Sequence, residues 1–273
     1  MTYTVNCSIL LTELPLLDRP AAAKAAGFDA VEFWWPFATS VPADRDVDAF
    51  VTAVRDAGVR LSGLNFNAGD MPGGDRGLVS WPARGKELRD NLAVVAGIGD
   101  TLGTKGFNAL YGNRIEGVDP QVQDAVAVEN LAAAAEAVAA IGGTVLVEPV
   151  SGADRYPLRT AADALDVIEH VESATGARNI KLLADFYHLA VNGDDVPAVI
   201  EAHAASFGHI QIADNPGRGT PGTGTLPLDA WITRSQELGY SGYIGLEYKA
   251  PIETAFDWLT DSRTVENAAS AAR

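Results

Sequence analysis

Short runs of aliphatic and β-branched residues alternate along this chain with longer stretches whose apolar positions recur at helical spacing. Val5 to Leu10 reads as a strand, and Pro15 to Ala26 as an alanine-rich helix stopped by Gly27. Strand Asp29 to Trp34, helix Asp46 to Ala57 and strand Val59 to Asn65 continue the pattern. A long loop, FNAGDMPGGDRGLVSWP, then precedes a helix from about Arg84 to Leu102, and loops of that length in a compact domain commonly serve as binding loops or lids. Next come strand Phe107 to Tyr111, helix Gln121 to Ile141, strand Thr144 to Glu148, helix Thr160 to Thr175, strand Ile180 to Asp185, and Val196 to Ala205 as most of the sixth helix. The seventh strand starts at Phe207, the seventh helix is Leu228 to Leu238, the eighth strand is Tyr243 to Glu247, and the last helix runs from Thr254 to about Ala269. Eight strand and helix pairs with no linker between them predict an α/β protein. The regular alternation favours one domain over residues 1–273, a closed (β/α)8 TIM barrel, over an open doubly wound sheet.

The strand ends carry the candidate chemistry. Along Phe207 to Gly224, FGHIQIADNPGRGTPGTG, the residues His209, Gln211 and Ala213 share one parity and Ile210 and Ile212 the other. In a barrel jacketed by helices the isoleucines face outward and the polar set faces the axis. Glu148, Asp185, Gln211 and Glu247 end four successive strands, so they converge at the C-terminal mouth, where barrel active sites lie. Three carboxylates placed there repel one another unless a cation sits among them, and an all-oxygen donor set selects Mg2+ or Mn2+ over zinc. The competing reading, that these acids cap the helices that follow, suits Asp better than Glu. His188, three residues after Asp185, can reach a substrate oxygen, although a lone histidine is more often structural. Glu32 points inward by parity and reads as a buried hydrogen-bonding support. Arg76 in the long loop, Arg218 after strand seven and Lys249 after strand eight are cations that could hold a substrate carboxylate.

Composition narrows the partners. A formal charge of −16 opposes nucleic acid binding, while a small anion can still be held because solvent screens charge beyond about 8–10 Å. No apolar run approaches the roughly 20 residues of a membrane helix, and the first residues lack the basic start of a secretory signal. A cytoplasmic protein with no membrane partner is expected, and a homo-oligomer is left open. The single cysteine, Cys7, rules out an internal disulfide framework and reads as a small buried residue. No dinucleotide fingerprint opens the chain.

The segments HIQIADNPGRGTPGTG, GLEYK, VEP and ADFYH, with VEFWWPF near the start and AGD and GDRG in the long loop, resemble the hydroxypyruvate isomerase family of xylose-isomerase-like TIM barrels. That family includes 2-oxo-tetronate isomerases, and the likeness covers almost the whole chain. It implies that Glu148, Asp185, Gln211 and Glu247 bind a divalent metal and that Glu148 and Glu247 are the acid–base pair. It also implies that His188 and Arg218 lie near the substrate. Two departures bear on the substrate: LNFNAGD (Asn65, Phe66, Asn67) stands where relatives carry NLPAGD with a histidine nearby, and Ser151 in EPVSG replaces an Asn.

The chemistry these groups suit is proton transfer between adjacent carbons of an α-hydroxy carbonyl through a cis-enediolate, which would turn hydroxypyruvate into tartronate semialdehyde. A ketose 3-epimerase is an alternative, although such relatives carry His where this chain has Gln211. The Gly-rich loop after strand seven is a weak signal for a phosphorylated substrate. Four histidines and an acidic surface suit neither a multi-zinc nuclease nor DNA. A barrel that binds a metal or sugar acid without turnover would have no use for paired glutamates.

Overall fold

A computed structural model describes residues 1–259. Its parallel strands close a barrel in chain order: β1 Tyr3–Asn6, β2 Ala30–Phe33, β3 Arg60–Asn65, β4 Gly106–Asn108, β5 Thr144–Val147, β6 Ile180–Asp185, β7 Phe207–Ile212 and β8 Ile244–Leu246. The ring is sealed where β8 pairs with β1. Around it lie α1 Arg19–Ala25, α2 Asp44–Asp56, α3 Gly85–Leu102, α4 Pro120–Ala139, α5 Ala161–Thr175, α6 Phe186–Asn192, α7 Val196–His203 and α8 Leu228–Glu237. The last helix expected from the sequence lies largely outside the described residues.

Outward residues such as Val31, Val145, Ile210 and Ile244 are fully buried and belong to the main apolar core. The inside of the barrel is more polar. Thr4 and Ser62 share a 2.6 Å hydroxyl contact, and Leu146, of the same parity as Glu148, forms part of the floor. A Cβ on Gly208 of β7 would lie 2.5 Å from a Leu146 methyl, so the Leu146 side chain from β5 fills the space beside this glycine. Register shifts fall at Val31/Glu32 between β2 and β3 and at Leu182/Leu183 between β6 and β7. The extra residues are Ser62 on β3 and Gly208 on β7, and irregularities of this kind re-aim the residues that follow on the same strand, His209 and Gln211 among them.

Three elements differ from the sequence reading, the first being β4, which ends at Asn108 instead of continuing to Tyr111. β1 ends at Asn6 instead of continuing to Leu10, because the Asn6 side chain accepts from the Ser8 N–H at 3.0 Å and its carbonyl accepts from Leu10 at 2.9 Å, turning the chain. The sixth helical region is split. α6 starts directly after Asp185, whose carboxylate caps it, and ends at Gly193, while Asp195 caps α7.

The long loop before α3 is fastened near its base. Arg84 pairs with Asp75 at 2.6 Å and with Glu87 at 2.7 Å, and the Gly77 N–H donates to the Ala68 carbonyl at 2.9 Å. Gly77 also bridges to Tyr111 with φ at +117°. A Cβ there would lie 1.9 Å from the Leu110 carbonyl oxygen, which is backbone and cannot rotate away. Gly77→Ala is therefore expected to destabilise the protein by about 1–3 kcal/mol, read as a lower urea midpoint. An unchanged midpoint would show that the loop is not anchored through this bridge.

Candidate active site

Four polar residues stand at the C-terminal ends of consecutive strands. Asp185 is the last residue of β6 and pairs in register with Gln211 on β7, while Glu148 and Glu247 are the first residues beyond β5 and β8. All four are at least nine-tenths buried, and Asp185 is wholly so.

Each acid has one oxygen fixed by a donor. Glu148 Oε2 accepts from Asn108 Nδ2 at 2.7 Å, and Glu247 Oε2 accepts from Asn6 Nδ2 at 2.8 Å. Asp185 Oδ1 accepts the N–H groups of Tyr187 at 2.8 Å and His188 at 3.1 Å. The capping reading thus applies to Asp185, but to only one of its oxygens. Its other oxygen, Oδ2, faces His188 Nε2 at 3.7 Å and Arg218 at 3.5 Å. Glu148 Oε1 lies 4.0 Å from His188 Nε2, and Glu247 Oε1 pairs with Arg218.

Burial dominates the electrostatics. It pushes the Glu148 carboxyl up to about 8, with the Asp185 charge adding and Asn108 opposing. Burial also raises Glu247 well above the carboxylate range, against the pull of Arg218. For Arg218 burial acts downward, but the charges of Glu247, Asp185 and Glu148 outweigh it and raise the group above its ordinary value.

His188 is held in one tautomer. The Ser151 backbone N–H, which can only donate, points at His188 Nδ1 at 3.1 Å, and the Ser151 hydroxyl approaches the same nitrogen at 2.7 Å. Nδ1 is therefore an acceptor, and the proton of the neutral ring sits on Nε2, facing the carboxylates. Burial holds the ring neutral by pushing its pKa down to about 4.

The residues present suit a divalent cation. Glu148 and Asp185 bring carboxylate oxygens within 4.8 Å of one another, with the His188 ring at the same distance, and Gln211 Oε1 is buried with no hydrogen-bond partner among the described residues. Buried anions are costly unless matched by positive charge, and an orphaned amide oxygen beside them is a further hard donor.

The family model described as Xylose isomerase-like TIM barrel matches residues 20–263. The chain belongs to this family. A Streptomyces coelicolor protein, named provisionally as a hydroxypyruvate isomerase, is 53% identical over 94% of this chain and 95% of its own. The Escherichia coli protein named hydroxypyruvate isomerase is 31% identical over 96% of this chain and 100% of its own. A Cupriavidus necator 2-oxo-tetronate isomerase is 34% identical over 94% and 96%. This xylose isomerase-like barrel is an isomerase.

In the barrel, Glu148, Asp185, Glu247, His188 and Arg218 are brought together, and Gln211 is linked to Glu247 through Glu32 and Asn6. Two of the cations singled out from the sequence make no such contact. Arg76 donates to the Met71 and Asp75 carbonyls at 2.9 and 2.6 Å, its guanidinium turned into its own loop. The Lys249 side chain is exposed, and its contribution is a backbone N–H to the Arg218 carbonyl at 2.8 Å. Cys7 is buried just beyond β1.

Asn6, Asn108 and Asp214 were not visible as site residues in the sequence. Asp214 organises the loop that carries Arg218: Oδ1 accepts from Asn215 at 2.8 Å and Leu226 at 3.0 Å, and Oδ2 from Gly222 at 2.9 Å and Gly224 at 2.8 Å. Arg218 itself sits at φ +56°, a conformation that costs a non-glycine residue roughly 1–3 kcal/mol and persists only where the surroundings impose it. An Asp directly before a Pro- and Gly-rich loop was the available signal. Asp214→Ala is expected to loosen this loop, so that trypsin cuts after Arg218 about tenfold faster or more and stability falls by about 1–3 kcal/mol. Cleavage at the wild-type rate, followed by mass spectrometry, would show that other contacts hold it.

Proposed function

We propose that this isomerase interconverts a small hydroxy-oxo acid and its aldehyde isomer, with hydroxypyruvate and tartronate semialdehyde the preferred pair. The observation that carries the reading is the paired arrangement of Glu148 and Glu247. Each is buried at the mouth, and each has one oxygen held by an asparagine amide and the other turned toward Asp185, His188 or Arg218. A base fixed through one oxygen keeps the second aimed, which general acid–base catalysis requires.

Glu148, Asp185, Gln211 and Glu247 would hold the divalent ion, with Mg2+ or Mn2+ suited to four oxygen donors. When bound, such an ion supplies Lewis-acid polarisation of a substrate carbonyl. His188 is better suited to the substrate than to the ion, because its Nδ1 is taken and its Nε2 carries a proton it can donate to a substrate oxygen. Arg218 is the cation at the mouth and would hold the substrate carboxylate. One glutamate removes a proton from C3 of hydroxypyruvate, giving an enediolate, and the other returns a proton to C2. The hydroxyl proton on O3 is lost as O2 gains one, so the net change is an isomerisation with no redox cofactor.

The 2-oxo-tetronate isomerase among the relatives supports a four-carbon acid as the second reading. A ketose 3-epimerase is less well supported, since a substrate carboxylate gives Arg218 a partner that a neutral sugar lacks. Product analysis on three- and four-carbon hydroxy-oxo acids separates these readings. Turnover of neutral ketoses alone would overturn the acid assignment.

Chelation is expected to abolish turnover and added Mn2+ or Mg2+ to restore it; full activity in a verified metal-free sample would remove the metal from the proposal. Glu148→Gln and Glu247→Gln should each lower kcat by about 10²–10⁴, with much smaller changes in metal content. Exchange of solvent deuterium into the substrate should fall in parallel. If either folded, metallated variant exchanges and isomerises near the wild-type rate, the two-glutamate assignment is wrong. Arg218→Ala should raise KM for the acid far more than for the matching neutral sugar, and an equal rise would place carboxylate recognition elsewhere.

A further inference from the structure

Glu32 reaches across the barrel interior from β2 and gathers donors from β1 and β7. Its Oε1 accepts from Gln211 Nε2 at 2.7 Å and Asn6 Nδ2 at 3.2 Å, and its Oε2 lies 2.7 Å from His209 Nε2. It is 3% exposed, and the barrel makes room for it. A Cβ on Gly245 would come within 2.7 Å of both Glu32 Oε1 and Gln211 Cγ and within 2.9 Å of His209 Nε2, and a Cβ on Gly63 would lie 3.3 Å from Glu32 Cβ.

The consequence falls on Gln211. A carboxamide is nearly symmetric in shape but not in chemistry, and a carboxylate accepts but does not donate, so Glu32 binds the amide nitrogen and not the oxygen. Gln211 Oε1 is thereby turned away from Glu32, and it is buried with no hydrogen-bond partner among the described residues, as are Thr104 Oγ1, Asn108 Oδ1 and Asn113 Oδ1. Asn6 is oriented in the same way. Its Oδ1 takes the Ser8 N–H, which leaves Nδ2 to bridge Glu32 and Glu247.

We propose that Glu32 is the positioning residue of the metal site: it touches neither substrate nor ion, and it locks the Gln211 carboxamide with its oxygen toward the divalent cation. This inference rests on the reading of Gln211 as a ligand. Without Glu32, Gln211 can rotate and present its N–H groups to the ion. A glutamine at position 32 would permit that flip, because its own amide can donate to Gln211 Oε1.

The test is calorimetric titration of Mn2+ into the metal-free protein for wild type, Glu32→Gln, Gln211→Leu and the double variant. Glu32→Gln should bind Mn2+ about 10–100-fold more weakly, Gln211→Leu should also lose affinity, and the double variant should bind as Gln211→Leu does. That last equality separates positioning from simple loss of negative charge, which would weaken binding further in the double variant. Additive losses overturn the inference, as does wild-type affinity in Glu32→Gln beside a weakened Gln211→Leu; both results leave Gln211 standing as a ligand. No loss in Gln211→Leu overturns the inference and the ligand reading together.

A second measurement uses the wild type alone and does not depend on Glu32→Gln folding. The Gln211 side-chain NH2 resonances, assigned by their disappearance in Gln211→Leu, should be protected from solvent exchange in metal-free and in Mg2+-loaded protein. Free exchange in the metal-free protein overturns the inference.

Discussion

Negative charge buried away from water governs the functional end of this barrel. Glu148, Asp185 and Glu247 lie almost wholly out of solvent within one mouth, and moving a carboxylate into such surroundings costs several kcal/mol unless charge or hydrogen bonds answer it. Much of the nearby structure supplies that answer. Asn6 and Asn108 each donate to a glutamate, the first turn of α6 donates to Asp185, and Arg218 brings a full positive charge. The Arg218 loop is in turn held by another buried carboxylate, Asp214, through backbone amides.

This arrangement explains why the polar groups can be so precise inside a fold whose stability lies outside the strands. The apolar residues of one parity pack under the helices, and the opposite parity is released from core duty. The glycines Gly63, Gly208 and Gly245 leave room in the interior for long side chains from nearby strands. Glu32 and His209 can therefore meet across the barrel although 177 positions separate them in the chain.

The barrel was legible because periodicity two and periodicity 3.6 alternate cleanly and because Gly stops the helices where the pattern says they should stop. The placement of Glu148, Asp185, Gln211 and Glu247 at strand ends was legible for the same reason. Contacts made by turns were not. β1 stops at Asn6 because of an asparagine–backbone hydrogen bond that hydrophobic pattern does not register, and the short α6 carries too few residues to show a helical period. Asn6 and Asn108 look like ordinary strand-end residues until the fold sets them beside an acid. Arg76 shows the opposite limit, since a cation in a functional-looking loop can spend its donors on that loop's own carbonyls.

Asp185 joins two jobs in one side chain. Its Oδ1 takes the N–H groups of Tyr187 and His188, so the carboxylate plane is set by the start of α6. An ion held at this mouth would find a single oxygen of Asp185 available, because the second is committed to backbone. Large ions such as Ca2+ often complete a shell of six to eight oxygens with bidentate carboxylates, whereas Mg2+ takes an octahedron of single contacts. An ion bound there would therefore meet Asp185 as a one-oxygen ligand, an orientation set by main-chain atoms that side-chain substitution leaves in place.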